Sequence, residues 1–118
     1  MYHYKAKLVR VIDGDTIDVD IDLGFDVWLK NQRVRLAGID SPECRTRNKL
    51  EKTLGLAAKA RLTELCSEEM QLESFGKGKY GRILGIPRTA DGTSMCQILI
   101  DEGHAVEYSG GKKTKVWA

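Results

Sequence analysis

From Ile17 to Leu23 the sequence alternates without a fault: Ile17, Val19, Ile21 and Leu23 are apolar, and Asp18, Asp20 and Asp22 separate them. Only a β-strand, whose side chains point to opposite faces in turn, sorts such residues onto one buried and one wet face. A half-buried strand is therefore a fixed point for any fold of this chain. Its three aspartates are expected to face water. The same parity reaches back to Asp15, which falls in phase with the apolar set, so its carboxylate is expected to point inward.

The neighbouring segments extend this strand into a sheet. Residues 4–12 are rich in β-branched residues and read as a strand, and Asp13-Gly14 supports a tight hairpin into the next one. Residues 24–31 read as a connection carrying Phe25 and Trp28. A third strand is expected over 32–39, ended by Asp40-Ser41-Pro42-Glu43, because proline lacks a ladder donor and restricts the residue before it. After a polar, basic loop over 44–49, Leu54, Ala58, Leu62 and Leu65 form the stripe of a helix that Gly55 slightly weakens. Residues 70–75 and 82–87 read as a strand pair joined through a glycine-rich segment. Ser94 with Gln97 reads as a capping box opening a second helix, which Gly103 closes.

Three strands, a helix, two strands and a helix fit a small barrel with the helix plugging one end. The five-stranded oligonucleotide-binding barrel is the smallest such solution. At 118 residues the length suits one domain over 1–118, with a basic, frayed tail at 109–118.

Charge and cysteine usage narrow the chemistry. Net charge is only +2, but residues 27–61 carry net +6 and residues 77–88 net +4. Two basic stretches beside candidate acidic ligands suit a polyanionic partner. Cys44, Cys66 and Cys96 have no metal-ligand spacing, and with only His3 and His104 available a zinc site is not expected. Cys66 and Cys96 read as core residues and Cys44 as incidental in a polar loop. No apolar run is long enough to cross a bilayer and no export signal opens the chain, so reduced thiols, a cytoplasmic setting and no membrane partner are expected.

Several polar features exceed what a fold alone requires. Asp15 begins a strand with inward parity, and Asp40 closes one in a rigid turn. Two carboxylates converging inside a small barrel need a cation or a proton between them, and oxygen donors without histidine or thiolate favour Ca²⁺ or Mg²⁺. Arg35, on the strand face opposite Val34 and Leu36, and Arg82 supply guanidiniums, and Glu43 a spare carboxylate. Phosphodiester hydrolysis needs this set: an ion to polarise a phosphoryl oxygen, arginines to neutralise charge at phosphorus, and an acid to handle water.

Three blocks resemble the signatures of the staphylococcal nuclease (thermonuclease) family in order and spacing. They are Val11-Ile12-Asp13-Gly14-Asp15-Thr16, the run from Val34 through Asp40-Ser41-Pro42-Glu43, and Lys79-Tyr80-Gly81-Arg82. The resemblance covers about residues 4–108. It implies an oligonucleotide-binding barrel carrying a Ca²⁺-dependent nuclease site that cleaves DNA and RNA with little base preference and leaves 3′-phosphate ends. By the same resemblance Asp15, Asp40 and the carbonyl of Ser41 are metal ligands, and Asp13 acts at one remove through water. Glu43 is the general base or water-positioning group, Arg35 and Arg82 hold the scissile phosphate, and Lys79 and Tyr80 contact a terminal phosphate.

The sequence departs from that pattern in places. Ser41 stands where threonine is frequent, and Gly78 where an acidic residue is frequent. Of the tyrosines that stack on the base in relatives, Tyr108 remains, with Trp117 in the lysine-rich tail. The expected partner is nucleic acid, single strands above all, bound by a monomer. The alternative is the same barrel binding nucleic acid or a protein without cutting.

Overall fold

The computed structural model describes residues 2–66, 70–77 and 81–108. The strands are β1 (Tyr2–Asp13), β2 (Thr16–Asp22), β3 (Trp28–Leu36), β4 (Ile39–Asp40), β5 (Met70–Lys77), β6 (Ile83–Arg88) and β7 (Val106–Glu107). The helices are α1 (Lys49–Leu65) and α2 (Met95–Asp101). Five strands close into a barrel in the order β1-β2-β3-β6-β5, and β4 and β7 form a separate two-stranded sheet. This is the oligonucleotide-binding architecture expected from the element order.

Closure depends on β3 and β6, which pair in parallel with Arg35 opposite Leu84, and on β1 and β5, which pair antiparallel. The core gathers Ile17, Val19, Val34, Leu36, Ile39, Leu62, Leu72, Met95 and Leu99, all essentially without solvent contact. Ile17, Val19 and Ile21 thus face inward as the alternation requires, whereas Leu23, just past the end of β2, is exposed.

Three local expectations need correction. The third strand does not run from 32 to 39. It begins earlier, at Trp28, and ends at Leu36, because Gly38 adopts a left-handed φ of 78° that turns the chain into β4. In the hairpin between β1 and β2, Gly14 is absent from the positive-φ residues. Its glycine is required by space instead: a Cβ there would lie 2.7 Å from the Ala58 Cβ and 3.0 Å from the Ser41 Oγ. The buried face of α1 is Gly55, Ala58 and Leu62, while Leu54 is exposed.

Both helices are capped by side chains. Asn48 Oδ1 accepts from the amides of Leu50 and Glu51, and Ser94 Oγ accepts from Gln97 N. The second half of the expected box is not used, since Gln97 Nε2 donates to Asp101 Oδ1 at 2.8 Å. Gly103 closes α2 at φ 80° as expected. Arg61 on α1 grips Glu102 at the end of α2 with two contacts of 2.6 and 2.8 Å, which ties the helices together. Burial pushes the Cys66 thiol up to about 12 and the Cys96 thiol up to about 11, as suits inert packing groups.

Candidate functional site

The hairpin between β1 and β2, the β3–β4 segment and the N-terminal half of α1 meet at one end of the barrel. Asp15 follows the turn glycine and is 8% exposed; Asp40 ends β4 and is 3% exposed. Both are buried, and the inward direction expected of Asp15 is what its contacts show. Its Oδ1 accepts from Thr16 Oγ1 at 3.0 Å and its Oδ2 from the Ser41 amide at 3.1 Å. That second bond joins the start of β2 to the residue after β4.

Arg35 sits between the two carboxylates. Its Nη2 is 3.5 Å from Asp15 Oδ2 and 3.9 Å from Asp40 Oδ1. These are ion-pair distances, longer than hydrogen bonds. The closest contacts of the guanidinium go to main-chain carbonyls: Nη1 donates to Leu36 O at 2.9 Å, and Nη2 donates to Ile39 O at 2.8 Å. A planar fork held this way is aimed by the backbone, and only 18% of the side chain is exposed.

Arg82, just before β6, lines a cleft of about 420 Å³ together with Arg35, Gly38, Leu84 and Tyr108. The parallel β3–β6 pairing creates this neighbourhood. Tyr108 is carried there by the β4–β7 pair, and its amide donates to Gly38 O at 2.8 Å. A larger recess of about 650 Å³ lies next to it against α2, lined by Ser94, Cys96 and Glu107, and contains neither arginine.

Glu43 is exposed on the segment between β4 and α1. Its amide donates to Glu51 Oε2 at 3.0 Å, and the following residue is anchored twice. Cys44 donates to Asp13 Oδ1 from its amide at 3.2 Å and from its thiol at 2.7 Å. Cys44, read from the sequence as incidental, is buried and holds the segment that bears Glu43. Burial, followed by the Asp13 carboxylate, raises its thiol pKa. Gly55 does more than weaken the helix. A Cβ there would fall 2.4 Å from Glu43 O and 2.7 Å from Cys44 N, so α1 packs directly on the backbone of that segment. A glycine inside a helix was the available signal; only its neighbour across the fold explains it.

The acids divide into two groups. Asp15 and Asp40 share Arg35, while Asp13 is engaged by Cys44 and Glu43 stands in the open. Among the described residues no three His, Cys, Asp or Glu side chains form a cluster able to hold a metal. The donor set expected from the resemblance needs only two carboxylates and a carbonyl. Two buried carboxylates from separate segments outnumber the single positive charge they share. With a buried Ser41 Oγ without a hydrogen-bond partner among the described residues, they are oxygen donors of the type a hard cation takes. Lys79 and Tyr80 lie outside the described residues, as does the tail at 109–118.

Comparison with known proteins places the chain in a family. Residues 33–116 match the family described as "Staphylococcal nuclease homologue". The chain belongs to this family. It is 33% identical over 114 residues to the micrococcal nuclease of Shigella flexneri, covering 89% of this chain and 59% of that protein. It is 41% identical over 117 residues to endonuclease YncB of Bacillus subtilis (strain 168), covering 94% and 52%. It is 39% identical over 116 residues to the SPbeta prophage-derived endonuclease YokF of the same organism, covering 93% and 36%. The chain thus spans between about a third and three fifths of the length of these staphylococcal nuclease relatives.

One expectation about the site's surroundings is overturned. Asp18 does not face water. It is 4% exposed, because Arg10 Nε at 2.8 Å and Arg33 Nε and Nη2 at 2.9 and 3.2 Å cover it. The Arg33 guanidinium, seconded by Arg10, holds its carboxyl below the usual carboxylate range. Among the described residues no helix is long and apolar enough to cross a membrane.

Proposed function

We propose that this chain is a Ca²⁺-dependent nuclease that hydrolyses phosphodiester bonds of DNA and RNA, preferring single strands, and leaves 3′-phosphate ends. The observation that carries this reading is the convergence of Asp15 and Asp40 on Arg35, with Arg35 and Arg82 lining one cleft. Asp15, Asp40 and the Ser41 carbonyl would hold the ion, with Asp13 acting through water. Bound there, Ca²⁺ supplies positive charge that polarises a phosphoryl oxygen.

The chain's own residues do the rest. Arg35, aimed by the carbonyls of Leu36 and Ile39, and Arg82 bind the non-bridging oxygens and neutralise charge as phosphorus becomes five-coordinate. Glu43 takes a proton from, or orients, the attacking water. Water adds to phosphorus, and the bond from phosphorus to the 5′ oxygen breaks. That oxygen takes a proton from solvent and leaves as a hydroxyl, while the proton removed from the attacking water passes back to solvent. Lys79 and Tyr80 contact a terminal phosphate, and Tyr108, at the rim of the cleft, contacts the sugar or base.

The test is digestion of an end-labelled single-stranded oligonucleotide with Ca²⁺, with Mg²⁺ and with chelator, followed by end-group analysis. Calcium-dependent products ending in 3′-phosphate are expected. Turnover in chelator would overturn the metal requirement, and no turnover in any condition would overturn the activity. Binding with no products even when Ca²⁺ or Mg²⁺ is present would identify a non-cutting binding module.

A further inference from the structure

Beside the cleft of Arg35 and Arg82 lies another, of about 440 Å³, lined by Arg10, Asp18, Asn31, Arg33, Gly81 and Arg82. We propose that this second cleft, through Arg10 and Arg33, binds backbone phosphates of the nucleic-acid strand on one side of the bond being cut. The proposal rests on the nuclease reading above and deepens it.

The arrangement is built by irregular strands. In β1 a bulge at Val9 breaks the register, so that Leu8 faces Val19 while Arg10, not Val9, faces Asp18. In β3 a second bulge takes up Lys30 and Asn31, where Asn31 adopts a left-handed φ of 52°, and Arg33 faces Asp18 from the other side. One buried carboxylate therefore pins two guanidiniums across neighbouring strands. Its side chain is 5% exposed, while those of Arg10 and Arg33 are 65% and 45% exposed.

The role of Asp18 is structural and the free valence is cationic. Each guanidinium has five N–H donors; Asp18 takes one from Arg10 and two from Arg33, which leaves the others turned to solvent. Pinned side chains lose less entropy when an anion arrives. Three guanidiniums against one carboxylate leave the cleft positive, and its lining contains no aromatic ring. That selects phosphate over base, hence binding without sequence preference and with strong salt dependence. Arg82 borders both clefts, so a strand seated in one continues into the other.

Steady-state kinetics on a 12-nucleotide single strand and on a dinucleotide, for the wild type and for Arg10→Gln/Arg33→Gln, test this. The KM for the 12-mer should rise about tenfold and its log–log salt slope should flatten by about 0.7 for each arginine removed. The kcat and KM for the dinucleotide should stay within about twofold. Equal losses on both substrates, or an unchanged KM and slope for the 12-mer, would overturn the proposal and leave the arginines as counterions of Asp18. Should the double variant fail to fold, Arg10→Gln alone keeps Arg33 on Asp18 and carries the same comparison with half the slope change. Fluorescence anisotropy of the 12-mer in chelator separates this proposal from the activity. Binding weakened by the substitutions, with no cleavage once Ca²⁺ is restored, supports the cleft and sinks the nuclease, whereas cleavage in Ca²⁺ with binding indifferent to the substitutions does the reverse.

Discussion

Two groups of aspartates and arginines lie on this barrel in opposite proportion. At Asp15, Arg35 and Asp40 two buried carboxylates share one guanidinium at 3.5 and 3.9 Å. At Arg10, Asp18 and Arg33 two exposed guanidiniums share one buried carboxylate at 2.8 and 2.9 Å. The first group is left negative and its arginine is directed by main-chain carbonyls; the second is left positive and its arginines are directed by the acid. The difference teaches that stoichiometry, not residue type, decides what a polar cluster receives. On the proposed reading, the same two side-chain types would receive a cation in one place and an anion in the other.

The largest effects are expected in the acid-rich group. Glu43→Gln should lower kcat by about 10²–10⁴-fold with KM little changed, because its contribution is made in the transition state. Equal changes in both constants on a short substrate would remove it from the chemistry. Arg35→Lys should lower kcat by about 10²–10³-fold, since an ammonium cannot reproduce a fork held by Leu36 O and Ile39 O. Near-wild-type turnover in that variant would mean that charge alone suffices and that the carbonyl cradle has no catalytic consequence.

Smaller effects probe how each group is supported. Gly55→Ala should lower stability by about 1–3 kcal/mol, measured by urea unfolding, because its Cβ would meet Glu43 O at 2.4 Å and α1 would have to retreat. Activity should fall with it, as the Glu43 segment moves; a stable, fully active Ala variant would break the link between helix packing and the site.

The smallest effect lies in the arginine-rich group. Asp18 is held below its ordinary value of 3.8, so its contribution to stability is present above that value and lost as pH falls through the lower folded value. Urea midpoints compared at about pH 6 and about pH 3 should therefore fall less for Asp18→Asn than for the wild type. An identical fall would mean that the two arginines do not favour the ionised form.

Much of this was legible in the chain. The β2 alternation announces its buried face and the inward turn of Asp15, and the order of elements leads to a five-stranded barrel, because periodicity and turn chemistry are local properties. Caps were legible for the same reason: Ser94 and Gly103 act on amides and carbonyls a few residues away. Apart from the bounds of β3, which Gly38 sets locally, and the unused half of the box at Ser94, the main expectations that failed depended on partners distant in sequence. Asp18 reads as solvent-facing until bulges in β1 and β3 bring Arg10 and Arg33 over it. Gly14 reads as a turn glycine until Ala58 is found against it.

The sequence by itself determined where oxygen donors and guanidiniums stand along the chain and on which strand face Asp15 emerges, since residue type and strand parity are written in it. The tertiary structure alone decided that Arg82 joins Arg35, that Arg35 is directed by backbone carbonyls, and that Gly55 carries the Glu43 segment. The physical reason is range. Local pattern fixes the face on which a side chain emerges, whereas barrel closure through the parallel β3–β6 pair and the seating of α1 fix what it meets there.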